Sequence, residues 1–147
     1  MTDDNRVLEL FRRAMQDDDA DAIREGLLLL FDRDGGVTVD DEYAIRHDDY
    51  VLEMPQSGER ISSRERMRDM QASYPGGGPS ITLDRVTGSG RNWVIEGVND
   101  YGDGDVWNTV LMVELADDGR MVRDRRYYAK QFDPPPWRAE FTDPAEA

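Results

Sequence analysis

Arg123-Asp124-Arg125-Arg126-Tyr127-Tyr128 is the segment of this 147-residue chain whose residue types could do chemistry. On a strand, alternate side chains share a face. Asp124, Arg126 and Tyr128 then point one way, and Arg123, Arg125 and Tyr127 the other. A carboxylate beside a guanidinium is favoured in its charged form, which suits a base at neutral pH better than an acid. In a catalytic reading Asp124 moves the proton, Arg126 orients it or binds an anionic ligand group, and Tyr128 donates a hydrogen bond. Burying these three groups is costly unless they are paired or line a cavity. Alternation leaves a second reading open, in which the face is exposed and the Asp–Arg pair is structural.

Other reactive types are sparse. His47 is the only histidine, in His47-Asp48-Asp49, and reads as a polar loop just before a strand. One His with flanking carboxylates specifies a metal poorly, and no metal site is expected. Asp103 and Asp105 around Gly104 lack the following ligands of a calcium loop and read as a hairpin turn. Asp32-Arg33-Asp34-Gly35-Gly36 is a turn as well. No phosphate-loop, zinc-protease or nucleophile-elbow pattern occurs. There are no cysteines, which excludes thiolate chemistry and cysteine-ligated zinc.

The elements that must position the candidates follow from pattern. Residues 81–86, 93–101, 106–115 and 121–132 are rich in β-branched and aromatic types, with short Gly, Ser and Asp turns between them. They predict a four-strand antiparallel meander. Before it, Val7, Leu8, Phe11, Ala14 and Met15 form a helical stripe, with Thr2-Asp3-Asp4 as N-caps. Asp17-Asp18-Asp19 breaks that helix, and residues 19–30 form a second. Residues 37–46 fit either a strand or a short helix. Tyr50 opens a strand that ends at Pro55, and residues 59–61 pair back. Ser62 and Glu65 have capping-box spacing at the start of a further helix. After Asp133-Pro134-Pro135-Pro136, Trp137 and Phe141 are expected to fold back on the sheet. Helices segregated to one face of a curved antiparallel sheet make an α+β fold.

Composition sets the class of partner. Net charge is −14, which repels nucleic-acid phosphates and anionic membranes. The acids are 22 Asp against 10 Glu, and the bases 17 Arg against one Lys. Two origins fit: a salt-adapted cytoplasm, where dense carboxylates keep a protein hydrated, or an ordinary acidic protein. The first residues carry no apolar signal segment. The apolar run at residues 27–31 is too short to span a bilayer. A cytoplasmic protein is expected.

Three strings carry a family resemblance: M-Q-D-D-D-A-D-A-I at 15–23, H-D-D-Y-V-L-E-M-P-Q-S-G-E-R-I at 47–61, and D-D-G-R-M-V-R-D-R-R-Y-Y at 117–128. With the element order, they resemble the nuclear transport factor 2-like superfamily, in its SnoaL-like branch of polyketide cyclases and steroid isomerases. The resemblance implies a cone, a curved antiparallel sheet wrapped around N-terminal helices with an apolar pocket at the open end. It implies one domain over residues 1–141, a flexible tail at 142–147, and a homodimer through the sheet. Residues 31–46 exceed the usual connection and are identified as an insertion.

The resemblance also places site residues. The isomerase's Tyr donor, Asp base and protonated Asp correspond to Phe11, Met54 and Leu111, none of which carries the needed group. Leu52, Trp107, Thr109 and Val113 join them in the implied pocket, with Asp124, Arg126 and Tyr128. Glu96 is a further pocket candidate on a strand whose faces the sequence leaves unassigned. The epoxide-hydrolase branch uses an Asp-Arg-Asp relay, of which Asp124 and Arg126 supply part. The implied function is binding of a small apolar organic molecule. Catalysis would be cofactor-independent isomerase, cyclase or hydrolase chemistry. The alternative is a non-catalytic binding or protein-interaction module.

Overall fold

The computed structural model describes residues 3–32, 38–75 and 78–144. Four helices, α1 (Asp3–Asp17), α2 (Ala20–Phe31), α3 (Val39–Ala44) and α4 (Arg64–Ala72), accompany six strands. These are β1 (Arg46–Met54), β2 (Glu59–Ile61), β3 (Ser80–Ser89), β4 (Asn92–Asp100), β5 (Val106–Leu115) and β6 (Met121–Ala129). Among the described residues, no helix is long and apolar enough to cross a membrane.

The first two helices form a hairpin whose buried seam is one part of the core. Val7, Leu10, Phe11 and Ala14 are buried, at the i, i+3, i+4, i+7 spacing of one helix face. Leu10 sits at the centre of this stripe, and Leu8 and Met15 flank it. The expected caps at Thr2 to Asp4 lie outside the described side chains. Asp19 caps α2 by accepting from the Ala22 N–H. Phe11 packs so closely on α2 that a Cβ at Gly26 would lie 2.9 Å from its ring. A glycine is what permits the approach.

The ambiguous stretch before β1 is helical. Thr38 and Asp41 form a reciprocal capping box, and Asp40, Asp41 and Glu42 set negative charge against the helix N-terminus. The turn expected at 32–36 lies largely outside the described residues. Strand β1 begins at Arg46, so His47-Asp48-Asp49 is strand rather than loop. The pairing with β6 holds at Arg46 and resumes at Val51, and the polar run lies within the register shift between them. The cap of α4 is Ser63, which accepts from the Arg66 N–H, and not Ser62. Both serines fit the local pattern, and only the observed helix start decides between them.

The sheet runs β2-β1-β6-β5-β4-β3. Strands β3 to β6 are the antiparallel meander, whereas β1 and β6 pair in parallel, so the sheet is mixed. The α4 crossover delivers the chain to the far edge, and the meander walks back to β1. Register shifts between Leu83 and Arg85 and between Glu114 and Leu115 bend the sheet. Its concave face carries Trp93 and Ile95 from β4, Val113 from β5 and Leu52 from β1. Helix α2 lies on β3 within that curve. The result is an α+β fold.

The C-terminal segment departs from expectation. Trp137 is 72% and Phe141 74% exposed, on a 3-10 turn spanning Pro136–Phe141. Three consecutive prolines, Pro134 to Pro136, lead into this turn and fix its backbone, and both rings stand largely in solvent rather than folding back as expected.

Candidate functional site

Two connected cavities occupy the concave side. The inner one, about 240 Å³, lies between the sheet and helices α2, α3 and α4. The outer one, about 710 Å³, opens beside the β1–β2 hairpin. Met70, Tyr74, Tyr101, Arg126 and Tyr128 border both.

Asp124 lies on the inner floor, between Leu52 of β1 and Val113 of β5. It is 1% exposed. Its Oδ2 accepts three hydrogen bonds: Tyr50 Oη at 3.1 Å, Arg126 Nε at 3.1 Å and Arg126 Nη2 at 2.8 Å. Its Oδ1 is buried and accepts none among the described residues. One carboxylate oxygen is therefore fixed by donors, while the other retains its acceptor capacity.

The electrostatics follow. Burial, then the negative charge of Asp124, pushes the Tyr50 hydroxyl well above the ordinary tyrosine range. Tyr50 thus stays a donor to Asp124. Burial alone would lower the Arg126 guanidinium, but the adjacent Asp124 charge overrides it and raises it. At the boundary of the cavities, the Tyr74 and Tyr101 rings stack with centroids 6.4 Å apart, and their hydroxyls lie 3.1 Å apart. Burial and that hydrogen bond push the Tyr74 hydroxyl up.

A second polar cluster faces the inner cavity from the helix side. Arg46, 2% exposed, donates through Nη1 to Gln71 Oε1 at 3.0 Å and through Nη2 to Glu42 Oε2 at 3.1 Å. Gln71 Nε2 donates to the same Glu42 oxygen at 2.6 Å, closing a ring of three side chains. The guanidinium lies over the Tyr50 ring, 5.3 Å from its centroid.

The candidates named from sequence separate into groups. Asp124, Arg126, Tyr128, Thr109, Leu111 and Val113 line the inner cavity. Leu52, Met54 and Trp107 line the outer one, where the Trp107 indole donates to Asp105. Phe11 does not reach either cavity; it fills the seam between α1 and α2. Glu96 faces away, half-exposed, with Arg85 at 3.9 Å. Trp93, Ile95 and Gly97 take the inward positions of β4, which turns Glu96 outward. His47 Nδ1 accepts from the Asp49 N–H. Among the described residues, no three His, Asp or Glu side chains gather as a metal site.

Sequence reasoning did not name Tyr50, Arg46, Glu42, Gln71, Tyr74 or Tyr101 as site residues. Alternation with Leu52 and Met54 could have placed Tyr50 on the inner face. Arg46 opens β1 on the far side of a register shift, so alternation from Tyr50 does not reach it, and the others come from helices and turns whose facing no periodicity fixes.

No family model and no curated protein matches the chain. Solved structures do. A protein from Kribbella flavida, provisionally named a ketosteroid isomerase, aligns over 100% of this chain and 95% of its own, with 23% identity and a TM-score of 0.72. An NTF-2 like protein of unknown function from Burkholderia xenovorans aligns over 98% and 96%, with 24% identity and a TM-score of 0.65. The fold is NTF2-like. An epoxide hydrolase of M. tuberculosis described as LEH-like shares this NTF2-like fold over 86% of this chain and 83% of its own, at 20% identity and a TM-score of 0.55. At such identities the likeness concerns the NTF2-like framework alone.

Proposed function

We propose that this chain binds a small, largely apolar organic molecule in the inner cavity and performs cofactor-independent acid–base chemistry on it, with Asp124 as the base. The observation that carries this reading is the asymmetry of the Asp124 carboxylate. Oδ2 is held by Tyr50 and Arg126, and Oδ1 is buried and accepts no hydrogen bond among the described residues. An unmet buried acceptor costs about 1–3 kcal/mol. A bound molecule presenting an acidic C–H, a hydroxyl or a captured water at Oδ1 would recover that cost. Tyr50 and Arg126 orient the base, and Tyr128 supplies a donor at the cavity boundary. Isomerase, cyclase and hydrolase reactions share this requirement for a positioned base.

A thermal-shift screen against small apolar ketones, lactones, epoxides and acids finds a ligand first. A compound at a hundredfold excess over its Kd raises stability by about 2.7 kcal/mol. Asp124→Asn preserves the shape of the side chain and removes the base. Turnover of the hit compound should fall by on the order of a hundredfold or more, with binding changed only a few-fold.

A non-catalytic binder is the second reading. It is favoured by the absence of proton-transfer groups at Phe11, Met54 and Leu111 and by the Asp124–Arg126 pair neutralising its own charge. In that case Asp124→Asn lowers the melting temperature, and no compound in the screen is turned over by the wild type.

A further inference from the structure

The polar ring of Glu42, Arg46 and Gln71 plays no part in the proton transfer, yet all three side chains line the inner cavity. The ring fixes the Arg46 fork through its two Nη groups. Nε is buried and donates to nothing among the described residues. Tyr50 separates Arg46 from Asp124: its ring lies under the guanidinium and its hydroxyl donates to the carboxylate. Two residues of the cavity lining thus each carry a buried polar atom unmet among the described residues, a donor at Arg46 Nε over the Tyr50 ring and an acceptor at Asp124 Oδ1 beside the Tyr50 hydroxyl.

The charges identify the kind of partner. Among the described lining residues of the inner cavity, the charged side chains are Glu42, Arg46, Asp124 and Arg126, two of each sign. Each cation is already within 3.1 Å of a carboxylate. An anionic ligand would lose its hydration with no surplus cation to replace it. An uncharged oxygen, as in a ketone, ester or lactone, would satisfy the Nε–H without that cost.

We infer that Arg46 is a specificity-determining residue, donating its Nε–H to the uncharged carbonyl oxygen of an apolar ligand in the inner cavity. Helix α3 is what holds it in place. That helix supplies Glu42, and its Val39 also lines the cavity. The segment before β1 is therefore part of the recognition surface. This inference rests on the small-molecule reading of the cavity.

The test uses three probes of similar size: 1-tetralone, tetralin, which lacks the oxygen, and 1-naphthoate, which is anionic. Affinities are measured by calorimetric or NMR titration. Wild type should bind 1-tetralone on the order of tenfold more tightly than tetralin, and more tightly than 1-naphthoate. Arg46→Lys keeps a cation beside Glu42 but has no Nε–H, and should close the gap between 1-tetralone and tetralin. Because Arg46→Lys could disturb folding, the Arg46 Nε–H resonance of the wild type is followed as well. It should move on adding 1-tetralone and stay in place with tetralin. Equal binding of 1-tetralone and tetralin, a gap that survives in a folded Arg46→Lys, or tightest binding of 1-naphthoate would overturn the inference while leaving the cavity reading intact. Binding of none of the three would overturn both.

Discussion

Tyr50 is the residue on which the site's two halves meet, and it gives the chain a pH signature. Its folded-state hydroxyl titrates above its ordinary value near 10. Above about pH 10 the unfolded chain therefore binds fewer protons than the folded one, and stability falls as pH rises. Below that point the contribution is fully present. We expect urea midpoints measured at pH 9 and pH 11 to drop less in Tyr50→Phe than in wild type. At neutral pH the same variant should lose about 1–3 kcal/mol, because Asp124 gives up one charge-assisted donor. An equal alkaline drop in both proteins would assign the loss to other groups. At this scale the sequence is partly legible. The Asp124, Arg126, Tyr128 face follows from alternation within a strand. The unmet oxygen of Asp124 does not, because it depends on which donors the neighbouring strand and side chains bring.

The elements decide where those residues can go. The meander is readable because its strands are rich in β-branched and aromatic residues and its turns in glycine. Strand β1 is less so, since Arg46-His47-Asp48-Asp49 has the composition of a loop and runs into a register shift with β6. That shift also hides Arg46, whose face cannot be counted back from Tyr50. The isomerase overlay misplaces Phe11, because helix α1 turns that face to Gly26 of α2 rather than to the cavity. Close approach of backbones is decisive again at Gly97, where a Cβ would stand 2.5 Å from the Thr82 carbonyl oxygen. A backbone oxygen in a paired strand cannot swing aside. Gly97→Ala should therefore cost about 1–3 kcal/mol and part β3 from β4. Amide exchange should quicken along residues 80–89 while the β5–β6 pairing stays protected. Unchanged stability would mean that the two strands can separate locally without loss.

For the whole molecule the net charge of −14 sets the response to salt. Like charges across a small surface repel, and that repulsion is screened within about 10 Å at 0.1 M ionic strength. The melting temperature should rise from low salt to a few tenths molar KCl. A rise continuing into the molar range would favour the salt-adapted origin of the Asp excess, whereas a plateau would favour the ordinary acidic protein. A melting temperature independent of KCl throughout would remove surface repulsion as a factor. The three tryptophans differ in another way that spans the molecule. Trp93 is buried in the core, Trp107 lines the outer cavity beneath Lys130, and Trp137 stands in solvent on the proline-held segment. Their emission should separate into blue, intermediate and red components. Iodide should quench the red one first, and a molecule entering the outer cavity should perturb the intermediate one alone. The chain thus carries its own optical reporter of occupancy, with no label required.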